Sequence, residues 1–332
     1  MKILITLPEG EIRDTFFTQE YMDRVKSYGE LIWNDKGRAF TKAELIESAK
    51  NADVIMTCWG TPKIDDDIVK GAKQLKVVAH LGGSVAPYVE QEVFDSGVKV
   101  VSGNDYFAES VAEGVIAYAL SALRDIPYYS ERLKNKRDWY KGYNRGIMDR
   151  SIGIVSFGAI SKKLAKMLVP FRVNIKVYSR NISDEVLKEY NMSRASLEEI
   201  FSTCDIISIH TALNDKTHHM IDKNLLSMIK RDALFINTAR GGVIDEKALI
   251  EELKTNRFKA VLDVFEVEPL PITSPLYDLE NVIIMPHMGG PTIDKRQFIT
   301  LGLLEDIKGY MENGTVLKHE ISKEQARQMS TN

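Results

Sequence analysis

Short apolar runs of strand length recur along the whole chain, and helix-like stretches separate them. That alternation constrains the fold most, because parallel strands need long crossover connections and helices supply them. The N-terminal third carries KILITL, ELIWN, DVIMTC, KVVAHL and VKVVS, with TKAELIESA and DDDIVKGAKQ among the intervening segments. A second block opens at Ser151 with SIGIVS, NIKVYS, DIISIH, ALFINT, KAVLDVF and NVIIMP. The expectation is an α/β protein built from two Rossmann-like or flavodoxin-like, doubly wound parallel-sheet domains. The length of 332 residues, 44% of them hydrophobic, suffices for two separate cores.

Helical periodicity supports this division. Ile160, Leu164 and Leu168 share one face of a helix over Ala159–Val169, which Pro170 ends. Asp245 is placed to cap a helix over Asp245–Asn256. From Tyr106, the stretch YFAESVAEGVIAYALSALRDI is apolar around most of its circumference. Such a helix predicts burial between domains or subunits, and a homodimer. The polar SERLKNKRDWYKGYNRGIMDR that follows reads as a surface connection.

Composition excludes several classes. The net charge of −3 is small and the basic residues are dispersed, which argues against nucleic acid and anionic membranes as partners. The apolar start of MKILITLPEG is too short for a secretory signal, and no segment approaches membrane-spanning length. Cys58 and Cys204 read as buried free thiols, so a cytoplasmic protein is expected.

The stretch GIVSFGAIS, residues 153–161, has the outline of the dinucleotide-binding turn G-x-G-x-x-G. Only Gly158 remains of its three glycines, at the place where the cofactor's pyrophosphate approaches the backbone. Ser156 and Ser161 replace the others. Ser156, Phe157, Gly158, Ala159 and Ile160 are therefore candidate cofactor-binding residues. About 20 residues on, where NAD sites usually place an acid, the chain has Ser179 and Arg180. An arginine there suits a 2′-phosphate, which favours NADP(H) while leaving NAD(H) open.

The stretch ALFINTARGGVIDEKALIEELKTNRFKAVLDVFEVEPLP, followed by NVIIMPHMGGPT, resembles the D-isomer-specific 2-hydroxyacid dehydrogenases. Three motifs of that family occur in order: N-x-x-R-G-x-x-x-D, L-D-V-F-x-x-E-P and P-H-x-x-x-x-T. SVAEGVIAYAL and IHTALNDKTHHMI are similar to further family segments, with Ala212 where proline is usual.

The resemblance implies three catalytic residues. Arg240 would bind the substrate carboxylate and polarise its carbonyl, His287 would exchange the proton, and Glu268 would orient His287. It also implies cofactor contacts from His210, Thr211, Ala212, Thr217, Thr238, Ala239, Arg240, Asp263, His287 and Gly289. Asp263 would hold the nicotinamide amide. Gly82, Gly83 and Ser84 of HLGGSVAP would offer N–H groups to the substrate, although the family's usual aspartate is missing. Trp59 in TCWGTP would line the pocket.

The implied domains are 1–103 plus 292–332 for substrate and 104–291 for NAD(P), with a cleft between them. The implied reaction is hydride transfer between NAD(P)(H) and a small 2-keto or 2-hydroxy acid. Alternatives are a formate- or phosphite-type dehydrogenase on the same scaffold, or a nicotinamide-sensing protein without catalysis. No metal is expected: His218 and His219 are adjacent but lack a ligand motif, and read as solvated or packing residues.

Overall fold

A computed structural model describes residues 1–180 and 182–330. The chain divides into two compact units, Met1–Phe107 with Pro291–Asn332, and Ala108–Gly290.

The first unit holds five parallel strands: β1 (Lys2–Ile5), β2 (Glu30–Trp33), β3 (Val54–Thr57), β4 (Val77–His80) and β5 (Lys99–Ser102). Their order is β2-β1-β3-β4-β5. β3 and β4 are buried along their whole length, which is why they read as unbroken apolar runs. The helix Ile293–Asn313 returns to this unit and buries Ile299, Leu303, Leu304 and Ile307 against Ile3, Ile5, Val54 and Met56.

The second unit holds β6 (Ser151–Val155), β7 (Asn174–Tyr178), β8 (Met192–Arg194), β9 (Ile206–Ile209), β10 (Leu234–Asn237), β11 (Lys259–Leu262) and β12 (Val282–Ile284). All seven are parallel, in the order β12-β11-β10-β9-β6-β7-β8. The strand order reverses between β6 and β9, and the carboxyl ends of such a pair form a binding crevice. The short edge strand β8 was not among the sequence expectations, because MSR carries no apolar run.

The helix expected near Tyr106 spans Asn104–Leu123. Its apolar surface does not need a neighbouring subunit. Val111, Ala112, Val115, Ala119 and Ala122 pack with Ile152, Ile154, Leu164, Ile206 and Ile236 in the core of the second unit. Asp105, Glu109 and Glu113 form its exposed stripe, and the wide apolar remainder packs under a sheet whose strands are also apolar. The helix after β6 is Ala159–Leu168, and Asp245 does cap Glu246–Lys254, its carboxylate accepting the Ala248 N–H. In the polar connection Trp139 and Tyr143 are 76% and 100% exposed, so these aromatics contribute to neither core.

Candidate functional site

The turn after β6 shows what the two serines do. Ser156 sits in the left-handed region at φ 76°, the conformation a glycine would adopt without strain. Its hydroxyl pairs with that of Thr211 at 2.8 Å, joining the ends of β6 and β9 across the reversal point. Ser161 is fully buried and donates its hydroxyl to the Ser156 carbonyl at 2.7 Å. Gly153 carries the close packing instead: a Cβ there would lie 2.3 Å from Ile200 Cγ2. Side-chain hydrogen bonds thus brace the turn. Left-handed strain at serine costs about 1 kcal/mol, similar to one hydrogen bond. Ser156→Gly should leave the melting temperature nearly unchanged, since relief of strain offsets the lost bond. Ser156→Ala keeps the strain and loses the bond, so thermal unfolding should show a drop of about 2 °C.

The surroundings of this turn fit a dinucleotide. Gly158 is exposed, and a Cβ on it would meet nothing within 4 Å, so its backbone is open to an approaching phosphate. No side chain caps the helix Ala159–Leu168, whose first N–H groups therefore face that space. Phe157 is turned aside, edge-on to Tyr190 with ring centroids 5.3 Å apart, and Ile160 packs on the core. Only the backbone of these two residues is offered to a ligand. At the ends of β9 and β10, His210 Nδ1 and Thr238 Oγ1 are buried without a hydrogen-bond partner. Burial pulls His210 down to about 4, so its ring is neutral at physiological pH. Ser179 is half-buried and Arg180 exposed at the end of β7. Thr217 serves its own loop: its hydroxyl donates to the Ala212 carbonyl at 2.7 Å and accepts the Asn214 N–H.

Arg240, Glu268 and His287 all follow carboxyl ends of strands in the second unit. The buried Asn237, at the end of β10, accepts the Ala239 N–H and donates to the Arg240 carbonyl, which fixes the turn carrying the arginine. Sequence reasoning passed over Asn237, although it begins the NTARGG motif. Burial lowers the Arg240 pKa, and the neighbouring Glu268 acts to raise it. The guanidinium remains cationic at neutral pH. Its Nη1 donates to the Ala239 carbonyl at 2.7 Å.

His287 Nδ1–H donates to Glu268 Oε2 at 2.7 Å, and Glu268 Oε1 accepts the Phe265 N–H at 3.0 Å. A carboxylate only accepts, so the proton on this side of the ring is fixed at Nδ1. Nε2 is then the nitrogen that can exchange a proton. The ring is half exposed, and the backbone of His287 is left-handed, at φ 54°. Asp263 holds that backbone in place. Its carbonyl accepts the His287 N–H, and its two carboxylate oxygens accept the Met288 and Gly289 N–H groups, each at 2.7 Å. A Cβ on Gly289 would come within 2.7 Å of Asp263 Oδ2, so this glycine is required for the carboxylate to close the turn. Asp263 therefore has a definite role, supporting the histidine turn, besides the cofactor contact expected of it.

The candidate substrate residues of the first unit gather at the ends of β3 and β4. Trp59 is 41% exposed, edge-on to Phe16 and Phe107, with Arg296 5.2 Å from its ring centroid. Gly82 must be glycine: a Cβ would sit 2.4 Å from Nε2 of the buried His80, which stacks on Tyr88. Gly83 faces Phe107, and the Ser84 hydroxyl donates to the Ser330 carbonyl at 2.6 Å.

Among the described residues no group of three or more His, Cys, Asp or Glu side chains could hold a metal ion. Nor is any helix long and apolar enough to cross a membrane. The adjacent histidines pack: their rings stack 3.9 Å apart, and His219 also bonds to Glu266.

Residues 116–289 match the family model described as the D-isomer specific 2-hydroxyacid dehydrogenase, NAD binding domain. The chain is 33% identical over 93% of its length to the D-3-phosphoglycerate dehydrogenase of Methanocaldococcus jannaschii, and it spans 57% of that protein. It is 32% identical to the hydroxypyruvate reductase of Thermotoga maritima, over 80% of this chain and 87% of the other. Among solved structures, a phosphoglycerate oxidoreductase from Rhizobium etli superposes with a TM-score of 0.80 at 25% identity, covering 97% of this chain and 98% of the other.

Proposed function

The chain belongs to the D-isomer-specific 2-hydroxyacid dehydrogenase family, and we propose on that premise that it reduces a small 2-keto acid to the D-hydroxy acid. It is an oxidoreductase that uses a nicotinamide cofactor. The observation that carries the proposal is the 2.7 Å bond from His287 Nδ1 to Glu268, which leaves Nε2 for proton exchange.

The bound cofactor supplies the hydride, and the protein's residues do the rest. Arg240 binds the substrate carboxylate and polarises the keto oxygen, lowering the cost of the charge that develops there. His287 Nε2 donates the proton that turns this oxygen into a hydroxyl, and Glu268 stabilises the imidazolium and fixes its orientation. Gly158 and the first N–H groups of Ala159–Leu168 would hold the pyrophosphate, with Thr238 Oγ1 and the His210 ring beside the remainder. Reduction consumes a proton and oxidation releases one, so low pH favours reduction and high pH favours oxidation.

The preferred cofactor is proposed to be NADP(H). Exposed Arg180 stands where an acid would repel a 2′-phosphate. The assembly is proposed to be a homodimer, with exposed Trp139, Tyr140 and Tyr143 as apolar surface for it to cover. Two buried, unpaired cysteines suit a cytoplasmic setting.

The test is a panel of 2-keto acids, glyoxylate and hydroxypyruvate among them, assayed with NADH and NADPH by nicotinamide absorbance. Formate and phosphite oxidation are run beside it. Turnover of a keto acid, with kcat/KM higher for NADPH, is expected. Formate oxidation requires no proton from a hydroxyl and would leave the Glu268–His287 pair idle. Tight cofactor binding with no turnover of any substrate would point to a sensor and overturn the proposal.

A further inference from the structure

A second histidine–carboxylate pair bonds to the loops that carry Arg240 and Glu268. His219 Nε2–H donates to Glu266 Oε1 at 2.6 Å. The same oxygen accepts the Glu246 N–H at 3.1 Å, and the Glu266 N–H returns a bond to Glu246 Oε2 at 3.0 Å. From its other side, the His219 backbone N–H donates to the Gly242 carbonyl at 2.9 Å. One residue therefore grips two loops. Gly242 lies two positions after Arg240, and Glu266 lies two before Glu268.

The two loops are in intimate contact where His219 grips them. A Cβ on Gly241 would lie 1.8 Å from the carbonyl carbon of Phe265 and 2.3 Å from the Glu266 nitrogen. Nothing but hydrogen separates these backbones. Phe265 in turn donates its N–H to Glu268. The arginine turn is thus packed face to face with the peptide that holds the glutamate, and a slip of either loop moves Arg240 against Glu268 and His287. His219 adopts a left-handed backbone, at φ 50°, to make both contacts, and its ring stacks on His218. Such a conformation persists where surrounding structure over-determines it, and it clusters near functional sites.

We propose that His219 is a positioning residue that pins the Arg240 loop to the Glu268 loop through Glu266. The inference rests on the proposed roles of Arg240 and Glu268. Glu246 supports the arrangement: burial raises its pKa, the Glu266 N–H bond opposes that, and the charge of Glu266 adds a smaller upward push, so two carboxylates crowd the position that the imidazole serves. The pair is about one-third exposed and adds little to global stability. Its effect belongs in the geometry of the site, where displacements on the order of 1 Å cost rates up to about a hundredfold.

The experiment compares the full-length protein with His219→Ala, His219→Gln, Glu266→Ala and the double alanine variant. In His219→Ala, the KM for the keto acid should rise and kcat should fall, lowering kcat/KM by about tenfold or more. The cofactor dissociation constant and melting temperature should stay as in the parent. His219→Gln keeps an N–H donor and should recover most of the loss. The double variant should be no worse than either single one, since both remove the same link.

Hydrogen exchange supplies a readout independent of turnover. Residues 240–246 and 264–270 should exchange faster in His219→Ala, and the rest of the protein should not. Parent-like kinetics and exchange in His219→Ala would overturn the inference, as would a loss spread equally over all kinetic constants with a falling melting temperature. If the parent protein reduces no keto acid, the functional proposal fails, and the exchange result alone still decides whether His219 pins the two loops.

Discussion

Exchanging His287 for glutamine should lower kcat for keto-acid reduction by about 10²- to 10⁴-fold while cofactor binding is kept, as measured by quenching of protein fluorescence. Glutamine can still donate a hydrogen bond to Glu268 but cannot deliver a proton, so the variant separates position from acidity. The backbone should survive the change. Asp263 holds the turn through the His287, Met288 and Gly289 N–H groups, none of which depends on the imidazole.

Four of the five other histidines are poorly placed to take over. His80 is buried and His210 partly buried, and burial pulls them down to about 3 and about 4, which keeps both rings neutral. His219 is committed to Glu266, and His319 lies beside Asp105 in the first unit. A kcat within about tenfold of the parent would remove His287 from the chemistry. Loss of cofactor affinity in step with kcat would instead mean that the turn had collapsed.

Where the candidate residues lie in the fold was legible in the sequence, for a physical reason. Ligands of open parallel sheets bind at the carboxyl ends of the strands, so each candidate residue follows an apolar run closely: Arg240 after LFIN, Asp263 after KAVL, His287 after VII. Both sheets were visible for the same reason, since strands buried on both faces are apolar throughout.

What escaped is what depends on backbone geometry or on partners distant in sequence. Ser156 and Ser161 read as departures from a glycine motif, and no spacing rule shows that the Ser156 hydroxyl meets Thr211, or Ser161 the Ser156 carbonyl. The His219–Glu266 bond joins residues far apart in the chain with no periodicity between them. The apolar helix Asn104–Leu123 misled in the other direction. Periodicity reports how much surface is covered, not what covers it, and here its own sheet does.

Removing the charge of Arg240 should cost about as much as losing the proton, through a different constant. The guanidinium is half-buried beside Glu268 and its turn is fixed by Asn237, so its position is set before substrate arrives. A 2-keto acid presents a carboxylate and an adjacent carbonyl oxygen, and a planar fork of N–H donors can serve both. Binding the carboxylate helps ground state and transition state alike, whereas the bond to the carbonyl oxygen strengthens as charge develops.

Arg240→Met should therefore raise KM and lower kcat together, and loss of the transition-state donor alone is worth about 10²- to 10³-fold in kcat. Arg240→Lys restores charge but not the two-pronged geometry. It should recover KM more than kcat. This split separates a substrate-binding arginine from one that merely neutralises Glu268, for which lysine would serve equally well. The Nη1 bond to the Ala239 carbonyl is lost in the methionine variant, so its melting temperature must be recorded beside the kinetics. If kcat and KM both stay near parental values while the protein remains folded, Arg240 does not touch the substrate. The carboxylate would then have to be held by other donors, and Gly82, Gly83 and Ser84 of the first unit would be the next to test.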